Sequence, residues 1–174
     1  MESKAKFLGH AIHPILIVFP LGLLATAVIF DIVYLITGNH FWPTISLWLI
    51  VVGIIGGLVA ALFGFIDYLY IPTGTRAKRI GTYHALVNVA AIVLFALSLG
   101  WRWSTPDTPA TLALLFSFAG VVVALVGGWF GGELVERLGM SVAPNANLNA
   151  PSSLTRERTF EDVDTRHHNL HPTH

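Results

Sequence analysis

Four long apolar stretches, roughly 14–36, 44–70, 81–101 and 110–134, govern what this chain can become. Each can cross a hydrocarbon core of ~30 Å, which takes about 20 helical residues. Inside lipid the backbone must satisfy its own hydrogen bonds, so each stretch is expected to be a helix. The connections, 37–43, 71–80 and 102–109, are short, and short links make successive helices antiparallel neighbours. The expected fold is therefore an all-α membrane protein, an up-down four-helix transmembrane bundle over residues 1–138. Composition agrees: 54% of the 174 residues are hydrophobic and 11% charged, against about 45–50% and about 25% in soluble domains. An ordinary soluble enzyme is excluded on that ground.

Charge narrows the reading further. Ten basic and ten acidic residues cancel, leaving no basic excess of the kind that nucleic acid requires. The absence of cysteine rules out disulfides, iron–sulfur ligation and thiolate zinc sites. Lys4, Lys6, Arg76, Lys78, Arg79 and Arg137 flank the spans on the side that both termini share, and only Arg102 flanks the other. The positive-inside rule then places both termini in the cytoplasm. Trp42, Trp101 and Trp103 are assigned to the outer interface, and Tyr68, Tyr70 and Tyr83 to the inner one. The first apolar run is too long for a secretory signal and is read as a retained helix. From 139 to 174 the chain is polar and broken by proline, so a flexible cytoplasmic tail is expected, with His167, His168, His171 and His174 near its end.

Two features bear on packing. Small residues at four-residue spacing, Gly53, Gly57 and Ala61 in the second span and Gly120, Ala124, Gly128 and Gly132 in the fourth, make smooth stripes suited to close helix approach, in the bundle or in a homodimer. Gly127 and Gly131 lie one step aside. Pro20, inside the first span, removes one helical hydrogen bond and is expected to kink the helix beside His13.

Ionisable groups at membrane depth are few and costly, which makes each a functional candidate. His13, Asp67, His84 and Glu133 each lie about one turn inside the same boundary, one per helix, with Asn88 as a polar companion. His10 lies just before the first helix. A short internal repeat joins them. His13 and Phe63-Gly64-Phe65-Ile66-Asp67 in the first hairpin are matched by His84 and Phe130-Gly131-Gly132-Glu133 in the second. Hairpins related by an axis along the membrane normal would bring His13 towards His84, with both acids beside them. The competing structural reading lets these groups snorkel to the interface. It pairs Glu133 with Arg137 four residues on, and Asp67 with Arg76 or Arg79. Asp31 stands alone near the outer end of the first helix.

The run His13-Pro-Ile-Leu-Ile-Val-Phe-Pro20, with Leu21, Gly22 and Leu23, resembles the opening signature of a bacterial membrane family catalogued as domain of unknown function 2231. Gly64-Phe-Ile-Asp67, His84-Ala-Leu-Val-Asn88 and Gly131-Gly-Glu-Leu-Val135 are similar to its later motifs, and the likeness runs from residue 7 to about 142. Members often carry a His-Gly pair where this chain has Leu138-Gly139. The resemblance implies a four-helix domain of the bacterial inner membrane. It also implies redox company, since some relatives are joined to Rieske or cytochrome c modules.

Haem b is the cofactor these residues suit best. A low-spin haem needs two facing imidazoles, and bundles place such ligands on facing helices. His13 and His84 are the expected ligands, with His10 as an alternate. Asp67, Asn88 or Glu133 would accept the free imidazole N–H, and Arg76 or Arg79 would pair with the propionates. The alternative is a zinc, iron or manganese ion held by the two histidines and two carboxylates. A further alternative is a non-catalytic anchor or assembly subunit. No nucleophile–base pair or phosphate loop is present, so the expectation is an electron-transfer or cofactor-binding subunit rather than a substrate-turning enzyme.

Overall fold

The computed structural model describes residues 1–154. The chain opens with a small hairpin, β1 (Lys6–Phe7) and β2 (His10–Ala11), paired antiparallel. Its two-residue turn, Leu8-Gly9, has positive φ at both positions, 50° and 84°, as the tight hairpin turn that matches strand twist requires. Four long helices come next: α1 (Ile12–Thr37), α2 (Phe41–Leu69), α3 (Arg76–Arg102) and α4 (Thr111–Gly132). All four are long and apolar enough to cross a membrane. The last runs into a π-helical turn, Glu133–Arg137, in which the Leu138 N–H reaches the Glu133 carbonyl five residues back.

Local chemistry explains the ends. Gly38 takes a left-handed conformation, φ 65°, and its N–H closes α1 on the Tyr34 carbonyl at 2.8 Å, the usual glycine terminator. The Thr75 hydroxyl accepts the Lys78 N–H at 3.1 Å and caps α3. α1 begins at Ile12, so His13 lies in its first turn and His10 before it. Pro20 does not break α1, which continues as one helix to Thr37. Its ring lies against Gly56 and Gly57 of α2, where there are no side chains to obstruct it.

Packing is closest within each hairpin, α1 on α2 and α3 on α4. Leu24, Ala27, Val28, Ile50 and Phe95 form the buried core. Large apolar side chains such as Phe19, Trp48, Leu62, Val89 and Trp129 point outward and are exposed. A hydrophobic exterior of this extent belongs in lipid, and the chain is a multi-pass membrane protein. The α4 stripe differs from expectation. Gly120, Ala124 and Gly127 are buried and Gly131 meets His84, whereas nothing lies within 4 Å of a Cβ built at Gly128 or Gly132. Steps of four residues overshoot a turn by about 40° each, so a strict four-residue stripe drifts off the contact face.

The two hairpins repeat one another. First helices correspond at an offset of 71 residues and second helices at 67. A Cβ at Gly53 would press on Leu24, and one at the corresponding Gly120 on Phe95, the counterpart of Leu24. Met1 and the stretch just beyond α4 lie at one end of the bundle, where the Met1 carbonyl accepts the Ser141 N–H at 2.8 Å. Residues 139–154, the start of the expected tail, run through turns, and Ser153 touches Gly9 and His10. The remainder, including His167, His168, His171 and His174, lies outside the described residues.

Candidate functional site

His13 Nδ1 lies 2.8 Å from the Ala60 carbonyl, and His84 Nδ1 lies 2.9 Å from the Gly127 carbonyl. A carbonyl oxygen only accepts, so each Nδ1 carries its proton and donates. In a neutral imidazole the lone pair is then on Nε2. The two bonds are the same contact repeated, since Ala60 and Gly127 differ by 67 residues and the histidines by 71. Both depend on a glycine one turn beyond the carbonyl. A helical side chain covers the turn N-terminal to its own Cα, and here that position is Gly64 or Gly131. A Cβ at Gly64 would stand 2.8 Å from His13 Nδ1, and one at Gly131 would stand 3.3 Å from His84 Cε1. Each missing side chain leaves a carbonyl open to an imidazole from the other helix of its hairpin.

The rings meet across the bundle, with centroids 6.2 Å apart and planes at 89°. Residues that touch their own counterparts in a repeat lie on the axis relating the two halves, so the histidine pair marks that axis. Two imidazole nitrogens on opposite sides of one ion at about 2.0–2.1 Å each would keep their ring centres roughly 6–6.5 Å apart. The separation of the two rings is one that a shared ion could span.

The other expected participants are placed differently. Asp67 does not face the histidines. Its Oδ1 accepts the backbone N–H groups of Lys4 and Ala5 at 2.7 and 3.2 Å, and its Oδ2 takes the Ser3 hydroxyl at 2.7 Å. It anchors the N-terminal segment rather than pairing with Arg76 or Arg79. Glu133 pairs with Arg76 of α3, not with Arg137. The repeat explains why the acids fail to join the histidines. At the offset of 67, Asp67 corresponds to Leu134 and Glu133 to Ile66, so the two acids are one residue out of register and face differently. Asn88 stays with His84. Its Nδ2 donates to the His84 carbonyl at 2.7 Å and lies 3.4 Å from Nε2. Its counterpart in the first half is the apolar Ile17, so only one imidazole has a polar neighbour at this position. His10 is exposed in β2, with Nε2 3.2 Å from the Ser153 hydroxyl. Arg79 is exposed at the same end of the bundle.

Among the described residues, no three or more of His, Cys, Asp and Glu come together in a way that could hold a metal ion. The expected ring of two histidines and two carboxylates is thus reduced to its histidines. A zinc site takes three or four protein ligands, and this pair supplies two.

A second polar cluster, which sequence reasoning missed, lies towards the opposite end. Asp31 and Arg102 are both fully buried and form a bidentate ion pair, 2.9 Å from Nη1 to Oδ1 and 2.8 Å from Nη2 to Oδ2. Ser46 of α2 accepts from Nη1 at 3.0 Å, Ser98 of α3 accepts from Nη2 at 3.1 Å, and Ser117 of α4 donates to Asp31 Oδ2 at 2.9 Å. The Ser46 and Ser98 hydroxyls go on to donate to the Ala27 and Ala113 carbonyls. Every helix contributes, and of the cluster's side-chain polar atoms only Arg102 Nε is left without a partner. Arg102 is therefore an interior cation rather than an interfacial one, and Asp31 is not alone. The offset of 71 that pairs His13 with His84 also pairs Asp31 with Arg102. That signal was available in the sequence.

A family model described as a predicted membrane protein (DUF2231) matches residues 9–144, more than three quarters of the chain. No curated protein and no solved structure matches.

Proposed function

The chain belongs to the DUF2231 family of predicted membrane proteins, and from that premise we propose that it holds haem b between His13 and His84 and passes electrons. One observation carries the reading. Two half-buried imidazoles meet at 6.2 Å, each with Nδ1 tied to a backbone carbonyl and its lone pair on Nε2, with the Asn88 amide 3.4 Å from the His84 Nε2. Haem b, when bound, supplies reversible one-electron chemistry and brings four nitrogen donors of its own, so the protein need add only two. A bare zinc, iron or manganese ion would ask for more ligands than this site assembles.

The residues around the pair have distinct tasks. The Ala60 and Gly127 carbonyls fix each ring's tautomer and increase the basicity of Nε2. Asn88 makes the His84 side more polar than the His13 side. Arg79 is free to meet a propionate, whereas Arg76 would first have to leave Glu133. His10, exposed beside Ser153, is not needed as a ligand. The protein is assigned to the bacterial inner membrane, with the histidine end and both termini cytoplasmic. Its electron partner is a small redox protein of cytochrome c or Rieske type.

The test is an absorption spectrum of protein purified in detergent from haem-replete cells, before and after dithionite. A Soret band that shifts on reduction is expected, and H13A and H84A should each abolish the low-spin spectrum while helicity is kept. A featureless visible region in folded, haem-supplied protein would overturn the reading in favour of an anchor or assembly subunit.

A further inference from the structure

We propose that Asp31 and Arg102 are positioning residues for the histidine pair: their ion pair sets the register and rotation in which hairpin α1–α2 docks on hairpin α3–α4, and so makes His13 meet His84. Both pairs join a residue to its own counterpart in the repeat. Asp31 lies 18 residues beyond His13, and Arg102 lies 18 residues beyond His84, about 27 Å along each helix. One docking geometry therefore closes both pairs at once.

Something must select that geometry. In lipid no hydrophobic force drives helices together, and faces built of leucine, alanine and glycine tolerate sliding and rotation. Slipping by one residue turns a helix face by about 100°. A planar guanidinium gripping both carboxylate oxygens does not survive such a turn. The serines of α2, α3 and α4 hold the fork in place from three sides. Complementarity also rejects wrong partners. Two copies of the first hairpin would oppose Asp31 to Asp31, two copies of the second would oppose Arg102 to Arg102, and a shifted pairing would leave both charges buried and alone.

The chain lacks cysteine, so H13C/H84C introduces its only thiols. A short bifunctional maleimide then reports whether positions 13 and 84 meet within one chain. Because both histidines are replaced, the result does not depend on whether the protein binds haem. Efficient intrachain crosslinking is expected in the otherwise unaltered protein. Adding D31L/R102L, which removes both charges together, should lower the intrachain yield several-fold and produce interchain products in protein that remains helical. D31R/R102D should restore the intrachain product. Should the leucine pair prevent folding, D31N/R102Q takes its place. The proposal is overturned if the helical uncharged variant keeps the full intrachain yield, or if the swapped pair restores folding without the crosslink.

Discussion

The histidine end and the aspartate–arginine end are built on the same axis by the same rule, a residue meeting its counterpart, yet they differ in what is left over. At one end the residues are identical and each keeps its lone pair on Nε2, which the Asn88 amide approaches at 3.4 Å in His84. At the other they are opposite in charge, fully buried, and nearly every donor and acceptor is used. A saturated cluster has nothing to offer a ligand and serves cohesion. A half-buried pair near a boundary, with its Nε2 lone pairs less firmly engaged, is the one proposed above to take a ligand.

Removing one partner of each pair is the strongest way to break this contrast. R102L leaves Asp31 buried without its cation and is expected to cost about 3–5 kcal/mol, read as a fall in the detergent unfolding midpoint. D31L/R102L should recover most of that loss. H13F, at the other end, should cost only about 1 kcal/mol, the worth of one hydrogen bond. Equal losses for R102L and H13F would erase the distinction. An effect below that of R102L sharpens the account of the histidine end. Gly64→Ala places a methyl 2.8 Å from His13 Nδ1 and should cost about 1–3 kcal/mol through overpacking. Gly131→Ala, at 3.3 Å from His84 Cε1, should cost less, and thermal melts of the two variants check the order. The two acids once assigned to this end should have effects no larger than that of H13F. Asp67→Asn should cost about 1 kcal/mol and speed hydrogen exchange at the Lys4 and Ala5 amides. Glu133→Gln should cost about 0–1 kcal/mol, because Arg76 is half exposed and its pairing is screened by water.

The sequence announced the bundle because span length and loop length leave a membrane chain few choices. It announced the histidine pair because a repeat brings counterparts together. It misplaced Asp67 and Glu133 because matching the two hairpins by residue type tolerates a one-residue slip, and on a helix that slip is a different face. It missed the role of Arg102 because a cation at the end of an apolar span reads as interfacial unless a partner is already known. That partner, Asp31, is 71 residues away. The carbonyls of Ala60 and Gly127 carry no side-chain signature at all. Their accessibility was encoded in the glycines one turn later, which composition attributes to helix packing.

The separation between Asp31 and Arg102 also has a consequence for biogenesis. A ribosome adding about 5–20 residues per second takes roughly 4–14 s to travel from one codon to the other. Throughout that interval Asp31 has been made and the guanidinium that receives it has not. A carboxylate without its cation is costly at membrane depth until the third span arrives. The first hairpin thus carries a charge whose partner is supplied only by the second.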